Sequence, residues 1–170
     1  MFERGEFGMR RIIGVAIMAF ILIAGNFVFT SASAGDDSSH DDDGDTLRLL
    51  TRTVDSADLD LGTAGPSLGD QFVFTDDVYK KGELVGADHG TCTVLRIEDT
   101  DFTVQCVVTL VLDDKGQIAV QGAVTFTEDE TAPFTLAITG GTDRFRDATG
   151  QVKVREISDT DTLLKVELDD

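Results

Sequence analysis

The segment from Ile138 to Val152, ITGGTDRFRDATGQV, places three glycines, an Arg-Phe-Arg triplet and two aspartates between apolar runs. A phosphate-binding loop would need its glycines to lead from a strand into a helix N-terminus, where backbone N–H groups and the helix dipole meet the anion. The glycines here lead instead into 151–157, whose alternating pattern predicts a strand. The segment is therefore predicted to be a long connection between two strands and not a phosphate site.

The composition of this connection predicts its backbone and its charges. Gly140, Gly141 and Gly150 allow positive φ angles and close approach of neighbouring backbone. We expect Arg144 and Arg146 to pair with some of the abundant acidic side chains.

Period-two alternation of apolar and polar residues continues through the whole domain from Thr46 onward, and no window has the 3.6-residue period of a helix. Turn-forming clusters separate eight candidate strands, at about 46–54, 70–80, 84–97, 102–112, 117–127, 133–139, 151–157 and 162–168. An even number of antiparallel strands with short links predicts an all-β fold, an eight-stranded antiparallel up-and-down β-barrel of lipocalin-like shape, over residues 46–170.

The same alternation predicts which side chains point into the barrel. Inward positions on the second and fifth strands supply the apolar candidates for ligand contact, which are Phe72, Phe74, Val124 and Phe126. Asp76 shares this inward face, and the third strand points Asp88 inward as well. Because an eight-stranded barrel has room for packed side chains or one small ligand, inward carboxylates are candidate functional groups.

Asp76 and Asp88 lie on neighbouring predicted strands and are the candidate catalytic residues. As an interior pair, at least one carboxyl would have a pKa raised by burial far enough for acid–base catalysis. The alternative is that one or both lie at the barrel mouth in contact with water. His89 is predicted on the outer face, and a lone histidine without a serine elbow indicates neither a metal site nor a hydrolase. The sequence predicts no metal and no cofactor.

Cys92 and Cys106 lie on strands joined by a tight turn, so their registers place them nearly opposite each other on one face. The main prediction is a cross-strand disulfide, because such cysteine pairs become oxidised in exported proteins. A reduced thiol pair lining a cavity is the functional alternative.

The N-terminus predicts export. Arg10 and Arg11 precede the apolar run 12–29, and Ala32-Ser33-Ala34 offers a cleavage site, so residues 1–34 are predicted to be a removed signal peptide. An uncleaved membrane anchor is the alternative, because the run is about as long as a bilayer span. Residues 35–45, GDDSSHDDDGD, are predicted to be a flexible acidic leader, and their DxDG fragment does not fit an EF-hand frame.

The net charge limits the possible partners. Without residues 1–34 the chain has 30 acidic and 11 basic side chains and a net charge of −19. Nucleic acid and anionic lipid would be repelled, so we expect neither nucleic-acid binding nor stable membrane association after signal cleavage. The predicted location is secreted or extracellular, and a homo-oligomer is possible because several outer faces carry Val and Ala.

A family resemblance extends along the domain. ITGGTDRFRDATGQVKV, from Ile138 to Val154, resembles the ITGGxGxFxGAxGQVK segment of allene oxide cyclases and is similar to the matching segment of dirigent proteins, which share that barrel. Three upstream segments also resemble the family in order and spacing: LGDQFVFTDDVY (68–79), VGADHGTC (85–92) and GQIAVQG (116–122). The resemblance implies an eight-stranded barrel with an apolar lumen. At the place of a family glycine stands Asp143, a residue type that tolerates left-handed backbone.

The resemblance also implies site residues. Allene oxide cyclases bind an unsaturated fatty-acid epoxide, and an Asn in their FTN segment helps to hold a water on the epoxide oxygen; that position is Asp76 here. The family's lumen Cys matches Cys92, its first-strand Glu and Asn correspond to Thr51 and Thr53, and an aromatic after the VQG glycine is replaced by Val124. Dirigent proteins are secreted and steer the coupling of phenoxy radicals.

Three functions remain open from the sequence. The first is a lumen that binds a small apolar molecule and templates a cyclisation, an isomerisation or a stereoselective coupling, with an isomerase or cyclase as the implied enzyme class. The second is a non-catalytic carrier of a lipid or polyketide, and the third is a structural secreted protein whose lumen is filled by its own side chains.

Overall fold

The computed structural model describes residues 46–127 and 132–169, and the predicted signal peptide and acidic leader lie outside these residues. Eight strands follow one another in chain order and form a closed antiparallel barrel. They are β1 (Thr46–Leu59), β2 (Gln71–Lys80), β3 (Glu83–Glu98), β4 (Asp101–Leu112), β5 (Gly116–Phe126), β6 (Phe134–Gly141), β7 (Gly150–Glu156) and β8 (Asp161–Leu168). β8 pairs with β1 and closes the sheet, so the predicted barrel is confirmed.

Strand β1 is longer than its predicted bounds of 46–54, because a bulge interrupts its alternation. The register with β2 shifts between Thr53 and Asp55, after which β1 continues pairing up to Leu59. A bulge sets two residues against one on the partner strand, so the side chains beyond it change phase. Val54, at the shift, is 62% exposed, and this apolar residue on the outside hides the continuation of the strand from a periodicity analysis.

The connection between β6 and β7 contains a short helix that the sequence did not predict. A 3₁₀ turn at Asp143–Phe145 places the Phe145 side chain in the core. Asp143 has a φ of 51°, which is the left-handed backbone expected at this position. Within the two described ranges, no helix is long and apolar enough to cross a membrane.

The glycines of this connection have two different roles. Gly140 and Gly150 have φ angles of 140° and 126°, as predicted. Gly141 is needed for close approach, because a Cβ there would lie 2.2 Å from the carbonyl oxygen of Gln117. The expected ion pairs of Arg144 and Arg146 are wrong: neither side chain contacts a carboxylate of the described residues, because both project from the exposed 3₁₀ turn.

The interior is built by inward side chains from all eight strands. Leu110, Ile118, Val78, Val152 and Val166 are among the most completely buried side chains and pack across the barrel axis. Together with Phe145 they belong to one apolar cluster. Ile118, which pairs with Gly141, and Phe145 lie at the end of the barrel next to the β6–β7 connection. The barrel is therefore packed with side chains at this end, which leaves the other end for a cavity.

Cys92 and Cys106 are directly opposite residues of β3 and β4, with their Cα atoms 4.0 Å apart, and they form the predicted disulfide. The bond closes a loop with a sequence separation of 14 residues. A loop of about 15 residues corresponds to roughly 3 kcal/mol in the chain-entropy account.

We expect replacement of both cysteines by alanine to lower the free energy of unfolding by about 2 to 3 kcal/mol, because the unfolded chain regains the freedom of that loop. Urea denaturation followed by circular dichroism measures the loss. A thiol reductant should destabilise the parent protein and leave the double variant unchanged. Equal urea midpoints for the two proteins would contradict the prediction.

Candidate functional site

The half of the barrel away from Phe145 encloses a cavity of about 440 Å³, a size typical of small-molecule pockets. Its lining includes Ser158, Asp159 and Thr160 of the β7–β8 turn, so the cavity opens at that end. Most of the wall is apolar, with five phenylalanines from four strands: Phe72, Phe74, Phe102, Phe126 and Phe134.

Aromatic rings form two parts of this wall. Phe72 and Phe74 on β2 stack with ring centroids 5.6 Å apart. Phe74 lies over Gly90 of β3, where a Cβ would come within 2.2 Å of the ring. The missing side chain at Gly90 thus allows the Phe74 ring to lie close to the barrel wall. Phe126 and Phe134 meet edge to face, with centroids 5.8 Å apart.

Asp76 and Asp88 lie deep in this cavity, as directly opposite residues of β2 and β3. Side chains of such pairs start about 5 Å apart at their Cβ atoms. The two residues are 7% and 3% exposed, which confirms the predicted interior placement and excludes the alternative at the mouth. Oδ1 of each carboxyl has no hydrogen-bond partner among the described residues. A ligand could supply the missing partners.

Burial raises the pKa of Asp88 to about 8, and the neighbouring Asp76 carboxylate adds to the rise by charge repulsion and by accepting a hydrogen bond from the protonated form. Burial also raises the pKa of Asp76, while hydrogen bonding by the Thr53 and Thr51 hydroxyls and by Asp88 acts against that rise. Asp88 is therefore the member of the pair that holds a proton near neutral pH.

The predicted polar residues of β1 lie beside this pair. Thr53 is directly opposite Asp76 in the β1–β2 register, and Thr51 is directly opposite Val78. Both line the cavity, and Thr51 is among the most completely buried residues. Two hydroxyls and two carboxyls are thus grouped at the closed end of an otherwise apolar chamber.

Glu156 is a further cavity-lining carboxyl that the sequence analysis did not single out. Burial raises its pKa, and the Asp159 carboxylate contributes to the rise. The alternation of β7 contained the signal, because Glu156 follows Val152 and Val154 at every second position and shares their inward face.

The remaining predicted residues are placed as follows. Phe72, Phe74 and Phe126 line the cavity, whereas Val124 belongs to the apolar core without being part of the lining. The disulfide sulfurs come from two lining residues, so the reduced thiol pair is excluded. His89 lies on the outer face, where its Nδ1 is 3.1 Å from the Thr75 hydroxyl. In the part of the chain that the structure describes, no three His, Cys, Asp or Glu side chains form a group suited to a metal ion.

The model of the family described as allene oxide cyclase barrel like domain matches residues 50–168. This range covers β1 from Leu50 to the end of β8 and includes the whole cavity. The chain belongs to this family. No match was found among curated proteins.

Solved structures with the same barrel include enzymes of several kinds. A pyocyanin demethylase is 30% identical, with a TM-score of 0.64, and the match covers 73% of this chain and 99% of that chain. The Diels-Alderase AbmU from Streptomyces koyangensis is 17% identical, with a TM-score of 0.56 and coverages of 72% and 68%. A pterocarpan synthase dirigent protein is 16% identical, with a TM-score of 0.53 and coverages of 72% and 81%. At the two lower identities the similarity shows the fold alone.

Proposed function

We propose that this allene oxide cyclase-like barrel is a secreted isomerase or cyclase that binds one small, largely apolar molecule in its lumen and transfers protons to and from it through Asp88 and Asp76. The observation that carries the proposal is the buried pair of directly opposite carboxyls at the closed end of an apolar chamber. A predicted signal peptide and the disulfide support export.

The apolar wall supplies the templating part of the reaction. Phenylalanines around a chamber of about 440 Å³ would hold a flexible ligand in few conformations and keep water from it. Fixing a reactive chain near its product-like geometry lowers the entropic part of the barrier. Such a chamber suits reactions in which one molecule rearranges.

The carboxyl pair supplies the proton-transfer part. Protonated Asp88 donates to an oxygen or nitrogen of the ligand where negative charge develops, and the Asp76 carboxylate accepts a proton released elsewhere on the ligand. Thr51 and Thr53 orient Asp76 through their hydroxyls. One proton is given and one is taken, so the product has the same mass as the substrate and no co-reactant is required.

Demethylation is a second candidate function. The pyocyanin demethylase is the relative at 30% identity, and this chain covers 99% of it. A demethylase would use the same lumen but would need a co-reactant, either an acceptor for the methyl group or an oxidant that removes it. Its product would have a lower mass, which separates this function from the isomerase by a single measurement.

The test begins with native mass spectrometry of residues 35–170, followed by denaturing extraction and identification of any bound molecule. That molecule and pyocyanin are then incubated separately with the protein, and the products are analysed by mass and chirality. We expect an isomer of equal mass and defined stereochemistry. Asp88→Asn should slow its formation by about 10²- to 10⁴-fold and leave ligand affinity within a few-fold.

Two further measurements make the outcome decisive. Asp113→Asn removes an exposed carboxylate from the turn after β4 and should retain the parent rate. The parent rate should fall as pH rises through about 8, where Asp88 loses its proton. Return of the ligand unchanged would indicate a carrier, a demethylated product would support the second candidate, and failure to bind any apolar molecule, including Nile red, would indicate a structural protein.

A further inference from the structure

A groove on the outer wall of the barrel is lined by five basic side chains: Arg48, Lys81, Lys153, Arg155 and Lys165. Its volume is about 520 Å³, and none of the residues that line it is Asp or Glu. The whole chain has 32 acidic residues and only 14 basic ones. The groove is therefore strongly basic, although the protein as a whole is strongly acidic.

The register of three strands places three of these cations directly opposite one another. Lys165 on β8 is opposite Arg48 on β1 and also opposite Lys153 on β7. Like charges at directly opposite positions destabilise a sheet, because their side chains lie about 5 Å apart. Glu167 forms ion pairs with Lys153 and Lys165, which neutralises part of the row.

The rest of the positive charge has no partner within the barrel. Arg48, Lys81 and Arg155 make no ion pair with any carboxylate of residues 46–127 and 132–169. The groove thus keeps more positive charge than the described contacts neutralise, and an anionic partner would remove the repulsion. A diffusing polyanion is disfavoured, because the net charge of the protein repels it at long range.

We propose that the acidic leader of this same chain, residues 35–45, binds in the groove. The leader contains six aspartates and no lysine or arginine, and it runs directly into Thr46, two residues before Arg48. A covalent tether gives an effective concentration in the millimolar range, which overcomes the long-range repulsion. Arg48 and Lys153 are separated by two strand spacings, or about 10 Å. Because an extended chain advances about 3.4 Å per residue, the leader is long enough to span this distance.

This contact would cover the seam where the first and last strands of the barrel meet. The inference is independent of the proposed function, since the groove lies outside the lumen. One competing source of negative charge is Glu128, Asp129 and Glu130, which shortly precede Pro133, a residue of the groove. The experiment must separate these acids from the leader.

Tyr79 provides a local probe, because it lines the groove and is the single tyrosine of a chain without tryptophan. The test measures quenching of its fluorescence by iodide at constant low ionic strength. A bare cationic groove concentrates iodide, and a bound acidic leader excludes it. We expect conversion of the six leader aspartates to asparagine in residues 35–170 to raise the iodide quenching constant by at least about two-fold, with quenching by neutral acrylamide unchanged.

Two matched variants complete the test. A variant with Glu128→Gln, Asp129→Asn and Glu130→Gln should keep the iodide quenching constant of the parent protein. In an Arg48→Gln, Arg155→Gln background, neutralising the leader should have little further effect. Equal quenching of the parent and the neutral-leader protein would overturn the proposal. An increase seen only in the 128–130 variant would overturn it too, and would assign the charge to the β5–β6 connection.

Discussion

Replacing Asp88 by asparagine is expected to make the barrel more stable near pH 8, by about 3 to 5 kcal/mol, while removing its proposed acid. The pKa of Asp88 is raised from an ordinary value near 4 to about 8, so the folded state holds a proton that the unfolded state has released between these values. Stability from this group is fully present below about pH 4 and is lost as pH rises to about 8. Each pKa unit corresponds to about 1.4 kcal/mol.

Urea denaturation near pH 4 and near pH 8 measures this effect. Near pH 4 position 88 is uncharged in both folded proteins, and we expect their free energies of unfolding to differ by no more than about 1 kcal/mol. The difference should grow steadily as pH rises. Asp113→Asn, at an exposed position, should show no such growth. A difference between Asp88→Asn and the parent that stays constant with pH would show that the folded barrel holds no extra proton there.

Replacing Gly150 by alanine is expected to lower the free energy of unfolding by at least about 4 kcal/mol. A loss of this size is among the largest that a single substitution causes. Gly150 has a φ of 126°, and a Cβ there would lie 2.1 Å from the carbonyl oxygen of Glu167. The residue begins β7 between Ile138 of β6 and Leu168 of β8, so the clash cannot be relieved without moving paired backbone.

Gly140→Ala is the matched control, because Gly140 also has a positive φ, of 140°. A Cβ added at Gly140 would have no atom within 4 Å, so this variant introduces no clash. In this variant the free energy of unfolding should fall only by the cost of the strained backbone conformation, about 1 to 3 kcal/mol. Thermal or urea unfolding of both variants separates backbone strain from steric clash. Equal losses for the two variants would show that close approach of β8 does not limit position 150.

Much of the candidate site could be predicted from the sequence, because strand alternation assigns each side chain to a face. Asp76 and Asp88 were predicted inward from their positions among apolar residues, and the structure places them deep in the cavity. The alternation of β7 would have identified Glu156 by the same rule. Asp143 was likewise predicted to tolerate left-handed backbone, and it adopts it.

Other features could not be read from periodicity. The bulge after Thr53 changes the phase of β1, and alternation cannot follow a strand through such a shift. Val124 was predicted to contact a ligand, yet it packs in the core without lining the cavity, although its register partner Val104 does line it. Facing inward therefore does not by itself bring a side chain to the cavity surface.

The sequence by itself determined the number of strands, their order and the faces of most of their residues, and it placed Cys92 opposite Cys106, because these follow from local alternation and short connections. Only the tertiary structure decided what the faces enclose. Closure of β8 on β1 and insertion of Phe145 leave a cavity at one end, and the register sets Asp76 directly opposite Asp88, where it helps to raise the pKa of Asp88. Closure also aligns Arg48, Lys165 and Lys153 from strands far apart in the chain. Such contacts depend on the exact register between strands, and alternation along a single strand does not determine that register.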